Sequence, residues 1–245
     1  MHRPSLKSSS LIAAFLLSAC DVPTGTTPSG ALPPGSGQAA TQEGMGLAEG
    51  RAAFFEVKQR VEPVAEQNCR SATTGLNCDF LIRIDPDRNA KPNAYQSLDR
   101  SGRPVITFTQ SMLADIANRD EMAFVMSHEA AHHIRGHLER QHQNAVAGAV
   151  LLGGLAGLAG ASAAEISNAQ DLGAIVGARS YSKDFELEAD ELGALITARS
   201  GYSPSIGLQF FFRLPDPGDR FLGTHPANPE RVRVVQQTIA RYNLN

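Results

Sequence analysis

Two histidines stand four residues apart with a glutamate beside the first, in His128-Glu129-Ala130-Ala131-His132. Residues four apart on a helix lie one turn apart on one face. Both imidazoles can therefore reach a single metal ion. Zinc suits such nitrogen donors, and its catalytic sites commonly use three protein ligands and leave one position for water. Glu129 sits where a general base for that water is needed. The surrounding pattern also fits burial. Met122, Val125 and Met126 form an apolar stripe at helical spacing, and Glu129 continues it one turn later. A carboxylate in such a stripe is costly unless it is paired or functional. The third ligand must come from elsewhere. In Phe185-Glu186-Leu187-Glu188-Ala189-Asp190, Glu186 and Asp190 are four apart and share a helix face. One can bind the metal while the other orients a histidine from behind. Glu188 and Glu191 read as solvated neighbours. His133 and His137 repeat the four-residue spacing, but no acid follows His133 at the base position. With His142 they read as groups on the helix surface or behind the ligands. Nitrogen and oxygen donors also hold other divalent ions, so the metal type is an inference from the donor set.

These residues need helices and a sheet to hold them. A helical pattern runs from about Leu47 to Asn68, with Phe54, Phe55, Val57 and Val61 as its apolar positions, and Pro63 is expected to kink or shorten it. Phe80 to Ile84 reads as a strand ended by Asp85-Pro86-Asp87. Pro104 to Thr109 reads as a second strand, whose proline places its start at a sheet edge or a strand end. A short helix is expected around Ser111 to Ala117, then a turn near Asn118 to Asp120, and one long helix from about Glu121 to His142. Residues 145–164 carry no charge. Their Gly and Ala content argues against a membrane span and for a buried or membrane-dipping helical hairpin with close backbone approach at its glycines. A helix over Ser182 to Ser200 follows, then a Phe210-Phe211-Phe212 cluster and a last helix from about Pro229. No internal repeat of the solenoid type is visible.

The chain begins differently. His2, Arg3 and Lys7 precede the apolar run Leu11 to Leu17, and Leu17-Ser18-Ala19-Cys20 follows it. This is the order of a secretory signal, and the apolar run is too short to span a bilayer. Leu-Ser-Ala-Cys resembles a bacterial lipobox, in which Cys20 becomes the acylated mature N-terminus. Acyl chains anchor through about 0.8 kcal/mol per buried CH₂. Residues 1–19 thus read as a lipoprotein signal peptide, 20–46 as a lipidated Pro/Gly/Ser/Thr-rich tether and 47–245 as the folded domain. Asp21 resembles an inner-membrane retention signal of enteric type; the outer membrane is the alternative. Cys69 and Cys78 remain as an even pair in an exported chain, which suggests a disulfide. The whole chain has 245 residues, 42% of them hydrophobic, with 22 Lys+Arg against 25 Asp+Glu. The net charge of −3 gives no electrostatic reason to expect nucleic acid as a partner.

The ordered set HExxH (His128–His132) then ExxxD (Glu186–Asp190) resembles the gluzincins of metallopeptidase family forty-eight. That family includes the CAAX prenyl proteases and bacterial periplasmic lipoprotein peptidases. Asn93-Ala94-Tyr95, the strand Val105–Thr109 and Asp120-Glu121-Met122-Ala123-Phe124-Val125 resemble the run that leads into the family's HExxH. Thr224-His225-Pro226 with Arg231 resembles its C-terminal HPxxxxR. The likeness covers roughly residues 42–241. It implies His128, His132 and Glu186 as ligands of one zinc, Glu129 as the base and Asp190 as the partner behind a ligand. It also implies that His225 faces the site from a loop, as an oxyanion stabiliser or a fourth ligand that keeps the enzyme latent. The expected fold is α+β and mostly helical, zincin-like, with a small sheet over the HExxH helix. The family's long membrane-spanning helices have no counterpart, which points to the lipid-anchored branch and away from prenylated substrates.

The function implied is zinc-dependent endopeptidase cleavage of unfolded or misassembled envelope proteins on the periplasmic side. Val105–Thr109 could offer an extended substrate a sheet edge. Partners would be polypeptides and a membrane, reached through the lipid and also through residues 145–164 if these dip into it. The alternative is an envelope chaperone or assembly factor with a mainly structural zinc; an intact Glu129 argues against it, since a structural site needs no base.

Overall fold

The computed structural model describes residues 43–180, 182–214 and 228–244. The predicted signal peptide, Cys20, Asp21, nearly all of the tether and His225 lie outside them.

The first helix, α1 (Leu47–Ala72), presents Ala53, Phe54, Val57, Val61 and Ala65 to the core. Pro63 neither ends nor shortens it, contrary to expectation. The reason is placement: Pro63 and Gln59 are both exposed, so the carbonyl left without its usual donor sits on the wet side of the helix. A disulfide joins Cys69, near the end of α1, to Cys78, with a Cα–Cα distance of 5.7 Å. It holds the intervening loop against the helix and leads the chain into the sheet.

The sheet has three strands in the order β1-β3-β2, namely β1 (Leu81–Ile84), β3 (Pro104–Phe108) and β2 (Ala94–Leu98). β1 pairs parallel and β2 antiparallel with β3. Thus the Pro104–Thr109 segment is the central strand, buried along its length, and cannot offer an edge. Pro104 is its first residue, the position where a missing N–H costs least. The edges are β1 and β2; the edge beside the site is β2, a strand that Ala94-Tyr95-Gln96-Ser97-Leu98 does not announce, since it has no β-branched run and is half-exposed.

Thr109 caps the short α2 (Gln110–Asp115) by accepting from the Met112 amide. Asn118 caps α3 (Arg119–Ile134), accepting from the Glu121 amide at 2.9 Å. This helix carries HExxH. It is buried on nearly every side, between the sheet, α1 and α6 (Ser182–Arg199). The single helix expected over residues 121–142 is in fact two. Gly136 adopts a left-handed backbone, with φ of 66°, and breaks it. Such a conformation ends helices and suits glycine.

Beyond the break, α4 (His137–Leu158) and α5 (Ala163–Ser180) form an antiparallel hairpin. The backbones meet at glycines: a Cβ added to Gly148 would lie 2.1 Å from the Gly173 oxygen. The hairpin is not buried, however. Val150, Leu151, Leu155 and Leu158 are all exposed, the last by 89%. Among the described residues no helix is long and apolar enough to cross a membrane. The chain closes with α6, the one-turn α7 (Pro204–Gly207), a 3₁₀ turn (Leu208–Phe212) and α8 (Asn228–Tyr242), which packs on α6. Phe210 and Phe211 enter the core, while Phe212 faces solvent. The result is the mostly helical α+β zincin-like arrangement.

Candidate active site

His128 and His132 point from one face of α3 toward Glu186 on α6, and ligand-type atoms of all three lie within 4.8 Å of one another. The His128 and His132 Nε2 atoms are 2.9 Å apart. Glu186 places Oε2 at 3.6 Å from the first and Oε1 at 3.4 Å from the second. Donors bound at zinc's usual 2.0–2.1 Å in a tetrahedron stand about 3.3–3.4 Å apart. Two imidazoles and one carboxylate at this spacing fit zinc in both chemistry and size. What brings α6 so close is Gly193, two turns past Glu186 on the same face. A Cβ there would meet the His128 backbone at 3.1 Å.

Behind each histidine stands a separate support. His128 Nδ1 is 2.9 Å from Asp190 Oδ1. Asp190 is fully buried, and Arg231 of α8 holds it with two hydrogen bonds, from Nε and from Nη2, each 2.7 Å long. Its guanidinium lies 4.2 Å from the Phe211 ring centre. Burial alone would lower the pKa of His128. Hydrogen bonds to Asp190 and Glu186 outweigh it and raise the ring to about 10 in the metal-free protein.

The second support takes up one of the two readings of His137, that of a group behind the ligands. His132 Nδ1 lies 2.8 Å from Nδ1 of His137, whose Nε2 is 3.2 Å from Glu188 Oε2. Glu188 in turn accepts two hydrogen bonds from Arg140, at 2.7 and 3.1 Å. Glu188 is therefore not the free surface acid expected. His137 is buried and stacked on Phe185; burial first, then the nearby His132, pushes its pKa down to about 4. His133 is buried on another side of α3, with Nε2 2.7 Å from the Asn77 carbonyl oxygen, inside the disulfide loop. Glu191 makes only an exposed 3.3 Å pair with Arg241.

Glu129 lies half-buried at the open side of the cluster. Burial raises its pKa first of all; His132 and His128 pull it down, and Glu186 pushes it up again. The backbone amide of Gln96 on edge strand β2 interacts with it. A cleft runs past this group, lined by Asn93, Ala94, Phe124, Val125, Phe210 and Leu214 among others. Its apolar wall is braced by Arg213, which pairs through both terminal nitrogens with the fully buried Glu121.

Residues 54–239 of the sequence match peptidase family M48. The chain belongs to that family. Members of that family are metal-dependent peptidases, and His128, His132 and Glu186 form a possible metal site in this chain. A protein of Vibrio cholerae serotype O1, named as a beta-barrel assembly-enhancing protease, is 32% identical over 180 residues. That alignment covers 66% of this chain and 34% of the relative, so the chain spans about a third of that protein's length.

Arg231 stands within the C-terminal motif, which gives it no role, and its partner Asp190 is 41 residues away in sequence. Arg140 and Gly193 carry no local signal that marks them, and Glu121 stands in the run before HExxH without a role of its own. His137 did carry one, the histidine spacing, but its use depends on the break at Gly136.

Proposed function

We propose that this chain is a zinc endopeptidase of the bacterial envelope that cleaves unfolded or misassembled envelope proteins. The observation that carries the reading is the placement of Glu129. It stands beside the His128–His132–Glu186 cluster and the backbone of edge strand β2, on an open cleft. His128, His132 and Glu186 would hold the zinc, which supplies an acidified water and polarises the scissile carbonyl. Glu129 takes the proton from the attacking water and delivers it to the leaving amine. Asp190 and Arg231 keep His128 oriented. His225 retains its two alternative roles, oxyanion stabiliser or fourth ligand.

The substrate would add to the free edge of β2 as an extended strand, with main-chain pairing and little sequence demand. Phe124, Val125 and Phe210 would receive an apolar side chain beside the scissile bond. Both features suit chains that expose core segments because they are misfolded. The relative's name, which concerns beta-barrel assembly, agrees with envelope substrates. Location rests on the lipobox: acylated Cys20 would hold the domain at the periplasmic face, with Asp21 favouring the inner membrane. The exposed leucines of α4, within residues 145–164, are the proposed second contact with lipid.

The test is to purify residues 21–245 with and without Glu129→Gln, and to measure zinc content and casein cleavage together. We expect one zinc in both and cleavage only in the parent. Zinc in both with cleavage in neither would favour the chaperone reading. A parent that takes up no zinc when it is supplied would overturn the assignment of the site.

A further inference from the structure

On an unbroken helix, position 137 would lie about 140° around the axis from position 132 and face away from it. Here Gly136, in the left-handed conformation, turns the chain so that His137 opens α4 with its ring against His132. The ring is fixed on its far side by stacking on Phe185, 4.7 Å between centres and 11° between planes. Arg140 covers the other reach of Phe185 at 4.2 Å while gripping Glu188. Four side chains from three helices, α3, α4 and α6, thus form one line from solvent to the metal cluster: Arg140, Glu188, His137 and His132.

Hydrogen-bond accounting fixes the protons along this line. His132 can ligate through Nε2 only if that atom carries no proton, so its Nδ1 bears the hydrogen. That hydrogen points at His137 Nδ1, 2.8 Å away, which must then accept. The hydrogen of His137 therefore sits on Nε2 and is donated to Glu188. The reverse arrangement, with His137 donating from Nδ1, would leave His132 protonated at Nε2 and unable to bind metal.

We propose, resting on the metal site assigned above, that His137 is a positioning residue for His132: an imidazole relay through which the Glu188–Arg140 pair fixes the ring and its tautomer. The two histidine ligands are then supported differently. His128 has a buried carboxylate directly behind it, whereas His132 has a carboxylate held one ring further back, at the protein surface. Partners behind metal ligands are typically worth about 10–100-fold in metal affinity or activity.

The experiment is zinc affinity of the full chain by competition with a chromophoric chelator, with ¹⁵N-histidine NMR of the zinc-loaded parent. His137→Phe keeps the stacking ring but removes the acceptor, and should weaken zinc binding about 10–100-fold. His137→Asn returns an acceptor near the Nδ1 position and should recover most of that loss. Glu188→Gln, at a half-exposed site tolerant of change, should cost several-fold. NMR should show His137 protonated at Nε2 alone. Equal zinc affinity in His137→Phe and parent, or a proton on His137 Nδ1, would overturn the proposal. Should His137→Phe fail to fold, Glu188→Gln and the NMR tautomer decide it. A parent that binds no zinc would instead fail the metal site itself, and this relay with it.

Discussion

Arg231→Met should be among the most damaging single changes in the domain, and its cost can be worked from the contacts. Arg231 and Asp190 are 8% and 0% exposed. Methionine would keep apolar contact with Phe211 but donate nothing. Asp190 would lose both 2.7 Å hydrogen bonds from the guanidinium and keep only His128 Nδ1. Charge-assisted hydrogen bonds contribute about 1.5–3 kcal/mol each, and breaking a buried ion pair costs about 3–5 kcal/mol in total. The surviving His128 donor offsets part of this, so a loss of about 3–4 kcal/mol is expected. The assay is urea unfolding of the metal-free chain, since bound zinc would add its own linkage. Arg140→Met is the control. Its pair with Glu188 has side chains 42% and 37% exposed and should cost no more than about 1 kcal/mol. A loss below about 1 kcal/mol for Arg231→Met, or equal losses for the two variants, would refute the claim that burial separates these two supports.

Three further outcomes are expected. Gly193→Ala puts a methyl 3.1 Å from the His128 backbone; it should move α6 by a few tenths of an ångström and weaken zinc binding, while melting the metal-free chain only slightly lower. Replacing Cys69 and Cys78 together by serine opens a loop of sequence separation 9, which chain-entropy arithmetic values at about 2–3 kcal/mol; chemical denaturation of the parent and double variant would measure it. Stripping the metal with a chelator should lower the melting temperature and abolish casein cleavage, and zinc added back should restore both. At a thousandfold excess over Kd, bound ligand adds about 4 kcal/mol, so an unchanged melting temperature would argue against a resident ion.

Much of the architecture could be read from local pattern because local pattern is what caused it. The apolar stripe Met122–Val125–Met126 packs in the core, and α6 runs over Ser182–Arg199, close to the span expected. Errors fell where nonlocal context decided the outcome. Pro63 sits in an unbroken helix because its side of α1 is wet. Val105–Thr109 offers no edge because β1 and β2 flank it on both sides, although Pro104 does mark a strand end as expected. The half-exposed β2 exists because β3 offers it a partner, and nothing within Ala94–Leu98 requires a strand. Residues 145–164 do make close glycine contacts, yet their leucines stay outside, since among the described residues each helix of the hairpin packs mainly against the other.

The site divides along the same line. His128, Glu129 and His132 are legible because helical spacing alone puts them on one face. Glu186 and Asp190 share a face for the same reason, though which of them meets the metal is decided by how deep each sits once Gly193 lets α6 approach α3. Asp190 behind His128 is legible from the same spacing, but the cations that hold the acids behind the ligands are not. Arg231 reaches Asp190 across 41 residues and Arg140 reaches Glu188 across 48, and both charges would look ordinary on a helical wheel. His137 is the sharper case. A helical wheel that ran straight through Gly136 would place it away from His132, among surface histidines. A single residue of left-handed backbone reverses that assignment, so the chemistry of the second ligand depends on a glycine that binds nothing.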